Sequence, residues 1–152
     1  MRSSMPWVGA VALCVGCAGS APAGPPELAL GLDACARCGM VIDDPRFAAA
    51  LRTAAGETRL YDDIGELVAD MEETGVEPVE AWVHDFEDEH WLRAREAVPV
   101  HGSVPTPMGS GLVACRTRAA ARRWAAENGG QVLTWGSLGA IAGRLDTRPT
   151  TP

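Results

Sequence analysis

Residues 47–75 read FAAALRTAAGETRLYDDIGELVADMEETG, and this one segment predicts two strands followed by a helix. Its first part contains two strand-like stretches, residues 47–51 and residues 57–61, separated by a turn with a glycine at Gly56. Short apolar stretches on either side of such a turn are typical of a β-hairpin. The segment therefore predicts an antiparallel strand pair at its start.

A helix is predicted immediately after this hairpin. Asp62 and Asp63 offer a helix N-cap, because a carboxylate accepts hydrogen bonds from the free N–H groups of the first turn. Gly75 ends the helix and Pro78 prevents its continuation. Between them the apolar side chains recur at helical spacing, namely Ile64, Leu67, Val68 and Met71.

The second half of the chain repeats this scheme of strands followed by a helix. Strands are predicted over residues 80–86, 90–97, 111–115 and 131–133, and helices over residues 118–128 and 138–144. Two tandem strand-strand-helix units with mostly antiparallel pairing make an α+β fold. We expect a single small domain over residues 35–145, with a loose tail over residues 146–152.

Composition excludes two classes of function. The 152 residues carry 20 acidic and 13 basic side chains, a net charge of -7. Nucleic-acid binding is not expected, because neutralising phosphates requires clustered positive charge. No apolar run reaches the roughly 20 residues of a spanning helix, so an integral membrane protein is excluded.

The N-terminus has the features of an export signal. Arg2 precedes a short apolar stretch, residues 7–15, and Gly16 precedes Cys17. A small residue followed by cysteine is typical of bacterial lipoprotein signals, so we expect a signal peptide over residues 1–16, lipidation of Cys17 and a flexible tether over residues 17–34. Soluble export, an uncleaved anchor and a misassigned start are the alternatives.

Removal of the signal and acylation of Cys17 leave three thiols, those of Cys35, Cys38 and Cys115. Three thiols cannot all pair within one chain. At least one of them is therefore free or bound to something else.

Two of these thiols belong to a cluster of soft donors. Cys35, Cys38 and Met40 place two thiols and a thioether within six residues, and such donors suit Cu(I). A disulfide or an exported redox pair is the alternative interpretation. No histidine follows Cys38, which excludes c-type haem attachment, and no second Cys-x-x-Cys or paired histidines provide a four-ligand zinc site.

A further thioether lies in a loop that contains proline and glycine. Met108 follows Pro107 and precedes Gly109, with Gly111 two positions later. Because proline fixes the backbone and glycine permits a tight turn, we expect Met108 to be held on a rigid loop. Filling a gap in the core is the alternative role for this methionine.

The remaining candidates are less specific. His84 shares a strand face with Trp82 and Phe86, so a packed or hydrogen-bonded ring is expected, although it could give a nitrogen to a metal. Cys115 alternates with Val113 on a predicted strand and is expected to be a small buried hydrophobe.

An ordered set of motifs resembles one known family. The blocks are Cys38-Gly39-Met40-Val41-Ile42, Tyr61-Asp62-Asp63-Ile64, Trp82-Val83-His84-Asp85-Phe86, Trp91-Leu92-Arg93-Ala94, the stretch over residues 97–102, Pro107-Met108-Gly109 with Gly111-Leu112-Val113-Ala114, and Gly129-Gly130-Gln131-Val132-Leu133-Thr134-Trp135. Together they resemble NosL, the family of nitrous oxide reductase accessory lipoproteins. The resemblance covers most of the chain after the tether.

The resemblance implies a Cu(I) chaperone and not an enzyme. Its implied copper ligands are Cys38 and Met108, with Met40 third and with Cys35 or His84 as further candidates. The implied client is nitrous oxide reductase or another copper enzyme, and a membrane transporter complex is the implied partner. We expect a monomer, exported to the periplasmic side and anchored to a bacterial membrane by lipid.

Two other functions stay open at this point. One is an exported thiol–disulfide oxidoreductase that uses Cys35 and Cys38, and the other is a lipoprotein scaffold that binds no metal. Met40 and Met108 separate the first from a copper chaperone, because Cu(I) needs soft thioethers and thiol exchange does not.

Overall fold

The computed structural model describes residues 24–139. Two α-helices lie wholly within these residues, α1 (Ile64–Thr74) and α2 (Arg118–Glu127). The seven strands within them are β1 (Ala49–Arg52), β2 (Thr58–Tyr61), β3 (Glu80–His84), β4 (Trp91–Arg93), β5 (Val98–His101), β6 (Leu112–Cys115) and β7 (Gln131–Val132). Within the described residues, none of the helices is long and apolar enough to cross a membrane.

The strands form two antiparallel sheets with the orders β2-β1-β3-β4 and β6-β5-β7. In the first sheet Ala49 lies opposite both Tyr61 and Val83, so β1 is central. In the second sheet Val100 lies opposite Val113 and Val132, so β5 is central. Both sheets thus place the first strand of a unit between its second and third strands.

This repeated order defines two tandem units. Unit 1 contains β1, β2, α1 and β3, with β4 added at the edge, and unit 2 contains β5, β6, α2 and β7. The predicted α+β class with two strand-strand-helix units in one small domain is confirmed. The division between the units differs from the predicted one, because β3 pairs with β1 and so completes unit 1 instead of opening unit 2.

Each helix begins and ends where its capping residues dictate. The Asp63 carboxylate accepts a hydrogen bond from the Gly65 N–H (2.7 Å), and Gly75 ends α1 with a φ of 67°. The positive φ is the left-handed conformation that glycine adopts without steric cost. In α2 the Thr117 hydroxyl accepts from the Ala120 N–H at 3.1 Å.

Strand β6 separates two apolar cores. Leu112 and Ala114 face a core that α1 and the first sheet enclose, whereas Val113 and Cys115 face a core built around Trp124 of α2. Because side chains of a strand alternate between its faces, one strand can contribute to both cores. The two units therefore share β6 as a common wall.

The first described residues pack onto unit 1. The Arg52 guanidinium donates to the Gly24 carbonyl (3.0 Å), and the Gly31 N–H donates to the Ile42 carbonyl (2.8 Å). Residues 24–34 belong to the predicted tether, so this part of it is hydrogen-bonded to the domain. The predicted signal peptide, residues 140–144 of the last predicted helix and the C-terminal tail lie outside the described residues.

Candidate functional site

The cysteine loop, residues 35–40, is a tight turn next to β2. The Cys35 N–H donates to the Met40 carbonyl (2.8 Å), and the Gly39 N–H donates back to the Cys35 carbonyl (3.0 Å). Gly39 has a φ of 77°, which allows the chain to reverse within these few residues. The Ala36 N–H donates to the Leu60 carbonyl (2.7 Å) and attaches the loop to β2.

The two thiols of this loop face different surroundings. Cys35 is buried in the core of unit 1, whereas Cys38 is half-buried at its rim. The Cys38 Sγ lies 3.6 Å from both carboxylate oxygens of Asp62, the residue that follows β2. The cysteine loop thus places the Cys38 thiol against Asp62, the first of two consecutive carboxylates that precede α1.

The second carboxylate, that of Asp63, holds the methionine loop, residues 106–111. It accepts hydrogen bonds from the Met108 N–H (3.1 Å), the Thr106 hydroxyl (2.6 Å) and the Ser110 hydroxyl (2.5 Å). Asp63 is fully buried, so the loop replaces water as its hydrogen-bonding environment. The N-cap of α1 in unit 1 therefore fixes a loop that belongs to unit 2.

The methionine loop has little conformational freedom. Gly109 and Gly111 have φ values of 72° and 66°, and a Cβ on Gly111 would lie 2.7 Å from the Gly102 carbonyl oxygen. Larger residues are therefore disfavoured at Gly111 both by conformation and by space. The sequence-based expectation of a rigid loop rests on these two glycines, and the anchoring by Asp63 adds a long-range restraint.

The consecutive pair Asp62 and Asp63 brings the cysteine loop and the methionine loop to the same end of α1. Here Cys38 and Met108 are half-buried, and Met40 has 48% of its surface exposed. Cys38, Met40 and Met108 therefore belong to segments that meet around the start of this helix, with Met40 open to solvent.

The structure adds a residue that the sequence analysis did not select. A carboxylate oxygen of Glu66, on the first turn of α1, lies with the Cys35 and Cys38 sulfurs in a group whose atoms are all within 4.8 Å of one another. The Arg37 guanidinium lies 3.0 Å from Glu66 Oε1. Glu66 is buried, with only 3% of its surface exposed.

Burial keeps both thiols protonated near neutral pH. It raises the pKa of Cys38 to about 12, with further increases from the Cys35 thiol and the negative charge of Asp62. Burial also raises the pKa of Cys35. Because metal ions bind the thiolate, binding here must release protons to solvent.

Neither His84 nor Cys115 belongs to this group of side chains. The His84 ring stacks on Trp91 with centroids 3.8 Å apart, and burial lowers the pKa of His84 to about 4. His84 is thus packed, as its strand face suggested, and it does not join the cluster of Cys35, Cys38 and Glu66. Cys115 is fully buried against unit 2, and Cys17 lies outside the described residues.

Comparison with known proteins identifies a family and a matching fold. The sequence profile of the NosL family matches residues 30–140. The crystal structure of the copper chaperone NosL from Shewanella denitrificans superposes with a TM-score of 0.58 at 23% identity, covering 74% of this chain and 96% of that one. Comparison with curated protein sequences gives no significant match. Because the family profile covers well over half of the chain, this protein belongs to the NosL family.

Proposed function

We propose that this protein is a copper chaperone that binds Cu(I) through Cys38, Met108 and Met40. The observation that carries the proposal is the attachment of both donor loops to Asp62 and Asp63. A thiolate and two thioethers are soft ligands, and soft ligands select Cu(I) over hard ions. Cys35 and His84 remain second-rank candidates for completing the set.

An accessible, incomplete set of ligands suits transfer better than storage. Met40 is 48% exposed, so a partner can reach this thioether while Cu(I) is still held by the half-buried donors. A closed four-ligand cage would instead resist release. Binding and handing over copper require no catalytic group, so we propose a carrier and not an enzyme.

The proposed client and location are those expected of a member of this family. We propose delivery to nitrous oxide reductase or a related copper enzyme, in cooperation with a membrane transporter complex. Export to the periplasmic side and lipid anchoring at Cys17 are part of the same proposal. The copper chaperone NosL from Shewanella denitrificans supports the role, because its fold matches over most of this chain.

The alternative of a thiol–disulfide oxidoreductase fits the geometry less well. Cys35 and Cys38 are close enough to react, but catalytic cysteines have a lowered pKa that supplies the thiolate. Here burial raises the pKa of both thiols instead. The environment therefore favours metal-induced deprotonation over rapid thiol exchange.

The experiment that tests the proposal is an anaerobic Cu(I) titration of the reduced full chain against a competing chelator. We expect one tightly bound equivalent, and we expect Cys38→Ser and Met108→Leu each to weaken it at least about tenfold, since even residues that only support metal ligands contribute about that much. Met71→Leu is the matched control, because it removes a thioether that packs against the core of unit 1.

Loss of the thioether at Met108 is separable from loss of packing, because leucine preserves the volume of methionine. Equal weakening by Met71→Leu would mean that the effect is not local to the site. Copper binding that survives both Cys38→Ser and Met108→Leu would disprove the proposed ligand set.

A further inference from the structure

A cavity on unit 1 is lined by none of the three proposed copper ligands. It has a volume of about 640 Å³, which is within the usual range for ligand pockets. One wall is formed by residues 26–30, and the remainder is formed by Pro45, His84, Glu89 and Trp91. Because His84 belongs to β3 and Trp91 to β4, the floor of this His84–Trp91 cavity is part of the first sheet.

The floor of the cavity is aromatic. The rings of His84 and Trp91 stack with their centroids 3.8 Å apart, and Trp91 is half-buried on β4, an edge strand of its sheet. Leu28 and Leu30 add apolar surface to the wall, and Leu30 has 45% of its surface exposed. A ligand with a planar group and apolar neighbours therefore finds contact area here.

The floor also has a buried ring nitrogen without a partner. His84 is 5% exposed, and its Nδ1 has no hydrogen-bond partner within the part of the chain that the structure describes. Burial lowers the pKa of His84 to about 4, so the ring is neutral at pH 7, and the Pro45 carbonyl beside it accepts from its single N–H. The nitrogen that remains is an acceptor, so the cavity floor lacks a hydrogen-bond donor.

Two carboxylates at the cavity are unpaired. Glu27 and Glu89 are exposed, and neither forms a salt bridge with another residue between positions 24 and 139. Arg46 lies near enough to Glu89 to feel its charge, but its guanidinium is bound by Asp44 at 2.6 Å. The cavity is therefore bordered by negative charge that the described chain does not neutralise by pairing.

These features together select one chemical group. A guanidinium is a cation with five N–H donors and no acceptor, and its plane stacks on aromatic rings. An ammonium group is more strongly hydrated and cannot stack in this way, and an anion would be repelled by Glu27 and Glu89. We infer that the His84–Trp91 cavity binds an arginine side chain of a partner protein, with apolar neighbours of that arginine against Leu28 and Leu30.

The charge on the rim favours a protein segment over free arginine. The carboxylate of the free amino acid would lie beside Glu27 and Glu89, whereas an arginine within a peptide chain carries no such charge. The inference goes beyond the proposed function, because it requires no copper ligand and stays valid whichever donors hold the metal.

The test is an NMR titration of the reduced full chain, labelled with ¹⁵N in histidine and tryptophan. The probe is the blocked tripeptide leucine-arginine-leucine, and we expect it to shift the Trp91 indole and the His84 Nδ1 resonances with saturation. The same peptide with citrulline has the shape of arginine without its charge and should bind at least about tenfold more weakly. The lysine peptide and free L-arginine should each bind at least about threefold more weakly.

Charge variants test the rim without disturbing the fold, because both carboxylates are exposed. Glu27→Gln combined with Glu89→Gln should weaken the arginine peptide at least about fivefold and leave the citrulline peptide unchanged. Glu72→Gln combined with Glu77→Gln is the matched control, since these exposed carboxylates belong to a different cavity. Both double variants should titrate with Cu(I) like the unaltered chain.

A variant of the floor separates stacking from charge. Trp91→Leu keeps an apolar side chain on β4 but removes the aromatic plane, so it should abolish the preference for arginine over lysine. Circular dichroism of Trp91→Leu shows whether the fold is retained, and the glutamate variants decide the matter if it is not.

Several outcomes would overturn the inference. One is the absence of a saturable shift up to about 10 mM peptide, far above a millimolar Kd. Equal binding of the citrulline peptide, or binding that Glu27→Gln with Glu89→Gln leaves unchanged, would do so as well. Free L-arginine that binds as tightly as the peptide would indicate a small-molecule site, and self-association that the peptide reverses would indicate a second copy of this chain. Loss of Cu(I) binding in the unaltered chain would overturn only the proposed function.

Discussion

The two units have the same strand order but use their helix caps in opposite ways. In unit 2, the Thr117 hydroxyl is exposed and accepts a hydrogen bond from the first turn of its own helix. In unit 1, the Asp63 carboxylate is fully buried and accepts from its own helix and also from three groups of the methionine loop. The Thr117 cap binds only its own helix, whereas the Asp63 cap also connects unit 1 to unit 2.

The difference arises from the loops between the first two strands of each unit. In unit 1 this connection is short, and its residues 54–57 are exposed. In unit 2 the connection between β5 and β6 is longer, and its residues 106–111 reach the cap of α1. The candidate site between the two units thus depends on the longer β5–β6 loop of unit 2 and on the buried Asp63 cap of unit 1.

The largest effect is expected from removing the shared cap. Asp63→Ala should lower the free energy of unfolding by about 4 kcal/mol, because four donors lose a charged acceptor in a buried place. The measurement is urea denaturation monitored by circular dichroism. The same variant should weaken Cu(I) binding, because the backbone of Met108 is no longer held.

Asp63→Asn is the matched control, because it keeps a side-chain oxygen acceptor but loses the charge and one acceptor. It should destabilise less than Asp63→Ala does. A loss no larger than about 1 kcal/mol in Asp63→Ala would mean that the cap acts only on its helix, like an ordinary N-cap.

A smaller effect is expected from acid, and it should come from the third strand of unit 1. The pKa of His84 is about 4 in the folded protein, below its ordinary value of 6.5, because the ring is buried. The unfolded chain therefore binds more protons between these values. The stability that the buried neutral ring of His84 contributes is fully present above pH 6.5 and is lost as the pH falls toward 4, by about 3 kcal/mol.

The measurement compares urea denaturation at pH 7 and pH 4.5 for the unaltered chain and for His84→Asn. We expect the variant to lose less stability between the two pH values. His101→Asn, at the exposed last residue of β5 in unit 2, should keep the original dependence. Equal pH dependence in all three proteins would show that His84 does not control acid stability.

The smallest effect is expected at the local cap. Thr117→Ala should lower the free energy of unfolding by about 1 kcal/mol, because α2 loses one hydrogen bond at its start. Its Cu(I) titration should match that of the unaltered chain. A change in copper affinity comparable to that of Asp63→Ala would contradict the contrast between the two caps.

The sequence predicted elements whose signals are local. Asp63, the helical spacing that starts at Ile64, and Gly75 together define α1 from neighbouring residues alone. The sequence pattern placed residues 80–86 in the second unit, but β3 pairs with β1 of unit 1, with Val83 opposite Ala49. The residue pattern of a strand alone does not determine which other strand it pairs with.

The same distinction holds at the candidate site. Cys35, Cys38, Met40 and Met108 were selected because soft donors next to glycines have a chemical signature. Glu66 was missed, since an acid three residues after an N-cap has an ordinary local explanation as part of a capping box. Its burial against Arg37 and the thiols depends on a loop that lies earlier in the chain.

The shared cap also makes the complete set of soft donors depend on the docking of the two units. The thiols of Cys35 and Cys38 are close in sequence and come together when unit 1 folds. Met108 acquires its position only after unit 2 has docked on Asp63, across 45 residues of separation. A chain in which only unit 1 has formed therefore presents both thiols and the thioether of Met40, and the thioether of Met108 joins them only when unit 2 is in place.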